Sequence, residues 1–408
     1  MLDDKTRKIV KACAPILQER GLEVTTHMYG LMFSQNPEVK ALFNPANQTP
    51  TGQPATLARA VGAYAANIDN LDVLGGALKL MAHKHASLGV TADQYPIVGK
   101  HLLQSLEDVL GVDAETKDAW AKAYGFLADV LIGMERQLYD EAAAQEGGWR
   151  DFRRFRIAHK EPESDIITSF YLEPVDGKPV TRHRPGQYTT VRLDFPDGSS
   201  TVRNYSLSDA PNGKGYRISV KREDVPAEAP NAPQGAVSHW LHDQMEPGME
   251  LELRAPMGDF YLDTESTRPV VLLSGGVGQT PLLAMLKSLA APGATRDTYF
   301  IHAARNSAVH ALGDEVKSLT AQNPKLKSFV AYDEPSAADI KQGGFDKTGT
   351  VTAEWLASLL PTKDCDFYFC GPKPFMREIY AILKGWNVPS PQIRFEFFGP
   401  AGDIEAAA

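Results

Sequence analysis

Cysteine is nearly absent: Cys13, Cys365 and Cys370 are the only three in 408 residues, an odd number with no CxxC pair. That argues against a disulfide framework and against a zinc or iron–sulfur site, and reduced thiols are expected. Long apolar runs are missing too, since no stretch approaches the roughly 18 residues needed to cross a bilayer as a helix. The opening MLDDKTRKIVKACAPIL holds no unbroken apolar segment with a small-residue cleavage site, so a cytoplasmic protein with no integral membrane segment is expected. Positive charge is in deficit as well. Lys and Arg number 42 against 51 Asp and Glu, and the resulting −9 repels nucleic acid and anionic membrane alike. The remaining composition is that of a folded globular chain, 43% hydrophobic and 23% charged. At about 100 to 200 residues per domain, 408 residues allow two to four domains.

Proline marks an internal boundary: six of the 28 fall in the first 150 residues and 22 in the remaining 258. Before it the pattern is helical, with Leu102, Leu106 and Val109, then Trp120, Tyr124, Leu127, Leu131 and Leu138, at helical spacing on either side of the short connection LGVDAE. After Gly147-Gly148 come β-rich runs, FRRFRIAHK, IITSFYLE, QYTTVRLDF and GYRISVKRE, divided by Pro, Gly and Asp-Gly turns, as in an antiparallel barrel or sandwich. The low-complexity VPAEAPNAPQG (225 to 235) reads as a surface loop of that domain. From Arg268 onward, PVVLLS, DTYFIHA, KSFVAY and DFYFCG alternate with helix-length stretches, the pattern of a doubly wound parallel α/β sheet.

In the α/β part, PVVLLS runs into Gly275-Gly276-Val277-Gly278-Gln279-Thr280-Pro281 and an apolar helix. Glycines let backbone N–H groups approach a ligand, Thr280 is expected to cap, Pro281 suits a first helical turn, and the helix N-terminus favours a pyrophosphate. The spacing is not the full GxGxxG fingerprint, and a tight connection is the alternative. Cys370-Gly371-Pro372 ends another strand at the carboxyl edge where such sheets bind ligands, with a buried structural thiol as the alternative. The loop HAARNSAVH carries Arg305 and Ser307 where an acid would contact a ribose, which leaves NADH against NADPH open.

In the barrel part, Arg203-Asn204-Tyr205-Ser206 lies on one strand with Arg203 and Tyr205 on a shared face. With Pro185-Gly186-Gln187-Tyr188 and the helix-opening Gly235-Ala236-Val237-Ser238, this supplies an arginine and a helix N-terminus for a diphosphate and two aromatic surfaces for a flat ring. The order RNYS, GAVS, GGVGQTP, CGP resembles the ferredoxin-NADP reductase-like family over about residues 150 to 400. The resemblance implies FAD held by Tyr188, Arg203, Asn204, Tyr205, Ser206 and Ser238, and NADH or NADPH cradled by Gly275, Gly276, Val277, Gly278, Gln279 and Thr280 with Cys370 near the nicotinamide. It further implies that Glu396, Phe397, Phe398 and Gly399, ahead of Pro400, fold over the flavin ring.

In the helical part, Leu74, Leu78, Met81, His85 and Leu88 recur at helical intervals, so His85 is expected to face the core with His83 about 160° away. An inward histidine is either a metal ligand or a hydrogen-bonded core residue. Tyr29 aligns with Leu22, Thr25 and Met32; Tyr95 stands beside Pro96 at a helix start; Glu135 aligns with Tyr124, Ala128, Leu131 and Leu138. If Glu135 is inside and not at the stripe's surface edge, Tyr95 and His85 are its available donors.

With Asn36-Pro37, Phe43, Gln53 and Leu57 added, residues 1 to 145 resemble a globin, and globin followed by flavin reductase is the order of the flavohaemoglobins, the nitric oxide dioxygenases. The resemblance implies a globin domain at 1–147, an antiparallel β-barrel FAD domain at 148–264 and an α/β NAD(P) domain at 265–408. It implies haem b with His85 on iron, Tyr95 and Glu135 as its relay, and Phe43, Tyr29, Gln53 and Leu57 around the distal haem face. Pro50 and Pro54 flank Gln53, which allows a late or bent helix start with Gln53 turned away from that face. Lys84 and Glu396 hold family positions thought to tune the haem and flavin potentials, a solvated surface charge being the alternative for each. The activity implied is oxidation of NO with O2 to nitrate by a monomer that detoxifies NO. The alternatives are a haem gas or redox sensor, a flavin reductase of other soluble acceptors, and a binder of lipid in the distal pocket.

Overall fold

The computed structural model describes residues 2–44, 48–49, 52–225 and 234–399; Pro50, Pro400 and most of the low-complexity stretch lie outside these. The chain divides into two compact units, Met1–Gln145 with Trp149–Asp151 and Arg192–Arg203, and the remainder.

The first unit is built on six α-helices: α1 (Asp4–Ala12), α2 (Ala14–Gln35), α3 (Gln53–Ala66), α4 (Gly75–Leu88), α5 (Tyr95–Leu110) and α6 (Ala114–Ala144). Local chemistry sets their ends. Asp3 and Asp113 cap α1 and α6 by accepting from the backbone N–H of Thr6 and Thr116, both at 2.8 Å. Gly111 stops α5 at φ +66°, so LGVDAE is the short connection its composition suggests. Val24, Met28, Met32, Tyr64, Leu106 and Trp120 form the main core, and Ala82, Tyr95, Ala128 and Leu131 a smaller one beside α4. Leu22, aligned with Tyr29 in the sequence, instead lies on the outer side of α2 at 40% exposure.

After the helices the chain runs through β1 (Arg153–Pro162), β2 (Ile167–Pro174), β3 (Tyr188–Asp194), β4 (Ser200–Ser206), β5 (Tyr216–Lys221), α7 (Ala236–Asp243) and β6 (Glu250–Leu253). The sheet order is β4-β3-β6-β1-β2-β5, with β1 antiparallel to β2 and β6. Beyond the end of β4, Leu207 bridges Ile218 on β5 and Ser208 N–H donates to the Arg217 carbonyl at 2.9 Å. These bonds join the two edge strands, so the sheet is a barrel and not a sandwich.

The chain continues through β7 (Val270–Gly275), α8 (Gln279–Leu289), β8 (Thr298–Ala304), α9 (Gly313–Gln322), β9 (Leu326–Tyr332), α10 (Ala337–Gln342), β10 (Lys347–Thr348), α11 (Ala353–Leu359), β11 (Asp366–Cys370), α12 (Lys373–Gly385) and β12 (Ile393–Glu396). Their sheet is parallel in the order β10-β9-β8-β7-β11-β12. The order reverses between β7 and β11, and a crevice beyond the carboxyl ends of those strands is where such sheets hold ligands. Both faces are covered, which is why β7 and β11 are buried throughout. β12 has no counterpart among the expected strands; its Ile393–Glu396 backbone pairs with Phe367–Cys370 and leads into the segment expected to fold over the flavin ring.

Candidate functional site

Gly89 ends α4 in the left-handed region at φ +83°, and its N–H and that of Val90 return to the His85 carbonyl at 3.0 Å. His85 therefore sits in the last turn. Its Nδ1 lies 2.8 Å from Glu135 Oε1 and 3.0 Å from the Tyr95 hydroxyl, which donates to the same Glu135 oxygen. Glu135 is 2% exposed, so the surface-edge alternative fails. Burial, then the adjacent carboxylate, pushes the Tyr95 hydroxyl far above its ordinary range and keeps it a donor. Tyr124, which the sequence marked only as part of a stripe, donates to the Tyr95 carbonyl at 2.7 Å. Its ring fits because residue 99 is glycine: a Cβ there would stand 2.5 Å from Tyr124 Cε1.

The expected facing of α4 is corrected. The helix buries Ala82, His83, Ala86 and Ser87, whose mainly small side chains let it lie close on α6, while Leu74, Leu78, Met81, His85 and Leu88 are only half-covered, as is Lys84. An apolar stripe that the protein leaves half-covered, surrounding an imidazole whose Nδ1 is held by a carboxylate, fits a flat hydrophobic group ligated through Nε2.

Tyr29 on α2 is buried and meets Phe43 edge-on at 5.7 Å and Phe33 at 5.6 Å, with Phe33 and Phe43 5.2 Å apart. Phe33 was not singled out from the sequence, although it stands one helical turn beyond Tyr29. Gln53 is the first residue of α3, with Pro54 in the first turn where proline is tolerated. Gln53 does not turn away: its side chain hydrogen-bonds Tyr29, and its Oε1 accepts from Gln48 Nε2 at 2.9 Å. Burial pushes the Tyr29 hydroxyl well up, partly offset by Gln53. Leu57, one turn along α3, is half-buried against the same core.

In the barrel, Tyr188 opens β3, and its ring lies where Gly258, at φ +115°, has no side chain: a Cβ would stand 2.8 Å from Tyr188 Cε1. Arg203, Asn204, Tyr205 and Ser206 share β4 as expected, and Asn204 Oδ1 accepts from Thr190 Oγ1 at 2.7 Å. The Ser206 hydroxyl is buried with no hydrogen-bond partner among the described residues, a polar atom a bound ligand would satisfy. Ser238 is used internally, its hydroxyl accepting from Glu223 N–H at 3.1 Å and donating to the Gly235 carbonyl at 2.9 Å. The N-terminus of α7 carries the partial positive charge that favours anions.

At the reversal point, Gly276 takes φ +52°, and a Cβ on Gly278 would lie 2.2 Å from the Cys370 carbonyl oxygen. Val277 stands between these two glycines, and the loop and the end of β11 interlock. Thr280 does not cap: inside α8, it donates to the Val277 carbonyl at 3.0 Å, while Gln279 Nε2 donates to the Ala311 carbonyl at 2.9 Å. Glu396 is 7% exposed at the end of β12, opposite buried Cys370, so a solvated surface charge is overturned there. Phe397 packs on the adjoining core, Phe398 is 48% exposed, and Gly399 has φ +132°. A further buried chain escaped the sequence analysis. Ser274 Oγ lies 2.8 Å from His302 Nδ1, the rings of His302 and His310 stack at 4.5 Å, and His310 Nδ1 is 2.9 Å from the Tyr332 hydroxyl. The two histidines of HAARNSAVH were its only signal. Arg305 and Ser307 are exposed, and Ser307 bonds the Asp339 carboxylate and holds it below its ordinary range.

Three family models match: Globin at residues 26–131, Oxidoreductase FAD-binding domain at 154–261 and Oxidoreductase NAD-binding domain at 272–380. The chain is 50% identical over 405 residues to the Flavohemoprotein of Rhizobium meliloti (strain 1021), covering 98% of this chain and 99% of that one. It is 46% identical to the Flavohemoprotein of Bacillus cereus (strain ATCC 10987 / NRS 248), covering 99% of this chain and all of the relative. Among solved structures, the flavohemoglobin of Malassezia yamatoensis with bound FAD and heme superposes with a TM-score of 0.84 at 26% identity, covering 98% of this chain and 100% of that one. The flavohem-like FAD/NAD binding domain of the Vibrio cholerae nitric oxide dioxygenase matches 62% of this chain and all of its own, at 36% identity and a TM-score of 0.54. No helix among the described residues is long and apolar enough to cross a membrane. With the three domains in order and full-length relatives at this identity, the chain belongs to the flavohemoproteins, oxidoreductases that carry haem and FAD and draw on NAD(P)H.

Proposed function

We propose that this chain is a nitric oxide dioxygenase that consumes NO and O2, forms nitrate and so detoxifies NO, working as a monomer. The observation that carries the reading is the buried carboxylate behind the imidazole, Glu135 Oε1 2.8 Å from His85 Nδ1. When bound, the haem iron supplies one-electron oxygen chemistry, and FAD converts the electron pair of NAD(P)H into single electrons. Glu135 holds the Nδ1 proton and makes Nε2 a more basic donor, which favours oxygen activation over reversible carriage. Tyr95 fixes the orientation of that carboxylate. On the distal side Tyr29 keeps its proton across the biological range and donates it in a hydrogen bond, with the Gln53 side chain hydrogen-bonded beside it. Phe33, Phe43 and Leu57 exclude water.

In the reductase part, Arg203 and the N–H groups opening α7 offset a diphosphate, Tyr188 and Tyr205 face a flat ring, and the Ser206 hydroxyl gains a partner. Gly275 to Thr280 present backbone to the nucleotide, with Cys370 and Glu396 bordering its reactive end, and Lys84 tunes the haem side. The solved Vibrio cholerae relative, called a nitric oxide dioxygenase, supports the assignment. A sensor that only binds gas gains nothing from a nicotinamide site. The test is NO consumption with stoichiometric nitrate under NADH and oxygen, expected in the parent and lost in His85→Ala. NADH oxidation that ignores NO in both proteins would instead mark a reductase of other acceptors, and lipid copurifying with the chain a lipid binder.

A further inference from the structure

Four charged side chains meet where the barrel adjoins the parallel sheet, two from each side. Asp209, which follows β4, pairs with Lys287 on α8; Lys287 also pairs with Glu315 on α9; and Glu315 pairs with Arg217 on β5 at 2.9 Å. The signs alternate along this chain, so the barrel and the nucleotide domain each give one cation and one anion. Its side chains are well covered, 4% exposed for Arg217, 21% for Lys287, 25% for Asp209 and 27% for Glu315. Such pairs are screened far less than surface ones. Arg217 is further fixed on the barrel side, where its Nε donates to Ser208 Oγ at 3.1 Å.

The placement gives the cluster its meaning. Asp209 stands three residues beyond Ser206, where the strand that carries the flavin-side residues ends. Lys287 stands eight residues into the helix that begins at the nucleotide loop, about 12 Å along it. The cluster thus ties the strand that seats one ring to the helix that seats the other. Hydride transfer breaks a C–H bond of the dihydronicotinamide and forms an N–H bond on the flavin, the electron pair passing with the hydrogen, and its rate falls steeply when the reacting atoms are misplaced by about 1 Å.

We infer that the chain Asp209–Lys287–Glu315–Arg217 is a positioning device that holds the flavin barrel and the nucleotide loop at the separation hydride transfer requires. The inference rests on the FAD and NAD(P)H assignment and is independent of the fate of the electrons at the haem.

The test uses the FAD-loaded full chain and three variants, Lys287→Met, Lys287→Arg and Glu315→Gln. Anaerobic stopped-flow reduction by NADH should show the limiting rate of flavin reduction at least fivefold lower in Lys287→Met and Glu315→Gln. The apparent NADH dissociation constant and the FAD content should stay within twofold, and Lys287→Arg should recover most of the rate. Hydrogen exchange supplies a readout apart from turnover. The Asp165 N–H, which donates to the Ala308 carbonyl across the same boundary at 2.9 Å, should exchange about tenfold faster in Lys287→Met, with amides of β7 unchanged. If Lys287→Met does not retain FAD, the near-isosteric Glu315→Gln decides on the same criteria. A limiting rate within twofold of the parent, unaltered Asp165 exchange, or a loss confined to NADH affinity overturns the inference.

Discussion

Replacing Glu135 with glutamine preserves shape and removes one charge at the centre of the proximal network. That carboxylate is 2% exposed, and its Oε1 accepts both from His85 Nδ1, at 2.8 Å, and from the Tyr95 hydroxyl. A hydrogen bond to a charged acceptor contributes about 1.5–3 kcal/mol against about 1 kcal/mol for a neutral one. Two such bonds therefore lose on the order of 2 kcal/mol together, roughly thirtyfold at about 1.4 kcal/mol per factor of ten. The loss falls on the basicity and orientation of Nε2, where partners of a ligating histidine typically matter by about 10- to 100-fold. Glu135→Gln should release haem to an excess of apomyoglobin about thirtyfold faster and slow NO consumption by a similar factor. Reduction of ferricyanide by NADH, which needs only the reductase residues, should stay within twofold. Haem release and NO consumption both within twofold of the parent would refute the reasoning.

Ser206→Ala should act with opposite signs on two observables. Removing a buried hydroxyl that has no partner among the described residues should leave the apoprotein as stable or more so, while FAD affinity, by equilibrium titration, falls about tenfold; unchanged FAD affinity would show that the hydroxyl does not face the cofactor. Gly278→Ala would set a Cβ 2.2 Å from the Cys370 carbonyl oxygen, so the loop must shift, and the KM for NADH in ferricyanide reduction should rise about tenfold or more while haem content is unaffected; a KM within twofold would show that the loop yields freely. His183 is 4% exposed and burial holds its imidazole down to about 4 from 6.5. The unfolded chain takes up a proton that the folded ring refuses, so this stabilisation is whole above pH 6.5, declines as pH falls and is gone by about pH 4, roughly 3 kcal/mol in all. Calorimetric unfolding between pH 7 and 4.5 should show a shallower loss of stability in His183→Phe than in the parent, and parallel curves would count against it.

Much of this architecture could be read from periodicity and turn chemistry. Alternation and Asp-Gly turns located β1, β2, β3 and β5, and continuous apolar runs located β7, β8, β9 and β11, because burial on one face or on two leaves different marks in sequence. The grouping of His85, Tyr95 and Glu135 was legible because each is a polar residue on a stripe that should be apolar. The facing of α4 was not, since periodicity identifies an apolar stripe without saying whether protein or ligand covers it, and Ala82, Ala86 and Ser87 carry too little hydrophobicity to advertise the face that packs. Thr280 misled for a related reason: a threonine near a helix start can cap forward or bond backward to a carbonyl, and the choice depends on φ and ψ. For Glu396 a surface charge stood as the alternative to a flavin-side role, and its burial depends on β12 setting it opposite Cys370, a long-range pairing that local pattern does not encode. The charge chain from Asp209 to Arg217 draws on four separated segments and has no local signature.

The meeting of Gly278 with the Cys370 carbonyl couples two turns that are distant along the polypeptide. Neither can drift alone. An insertion or a bulkier residue in the first turn must be answered by a retreat of the second, because the atoms it meets there are backbone and no change of side chain removes them.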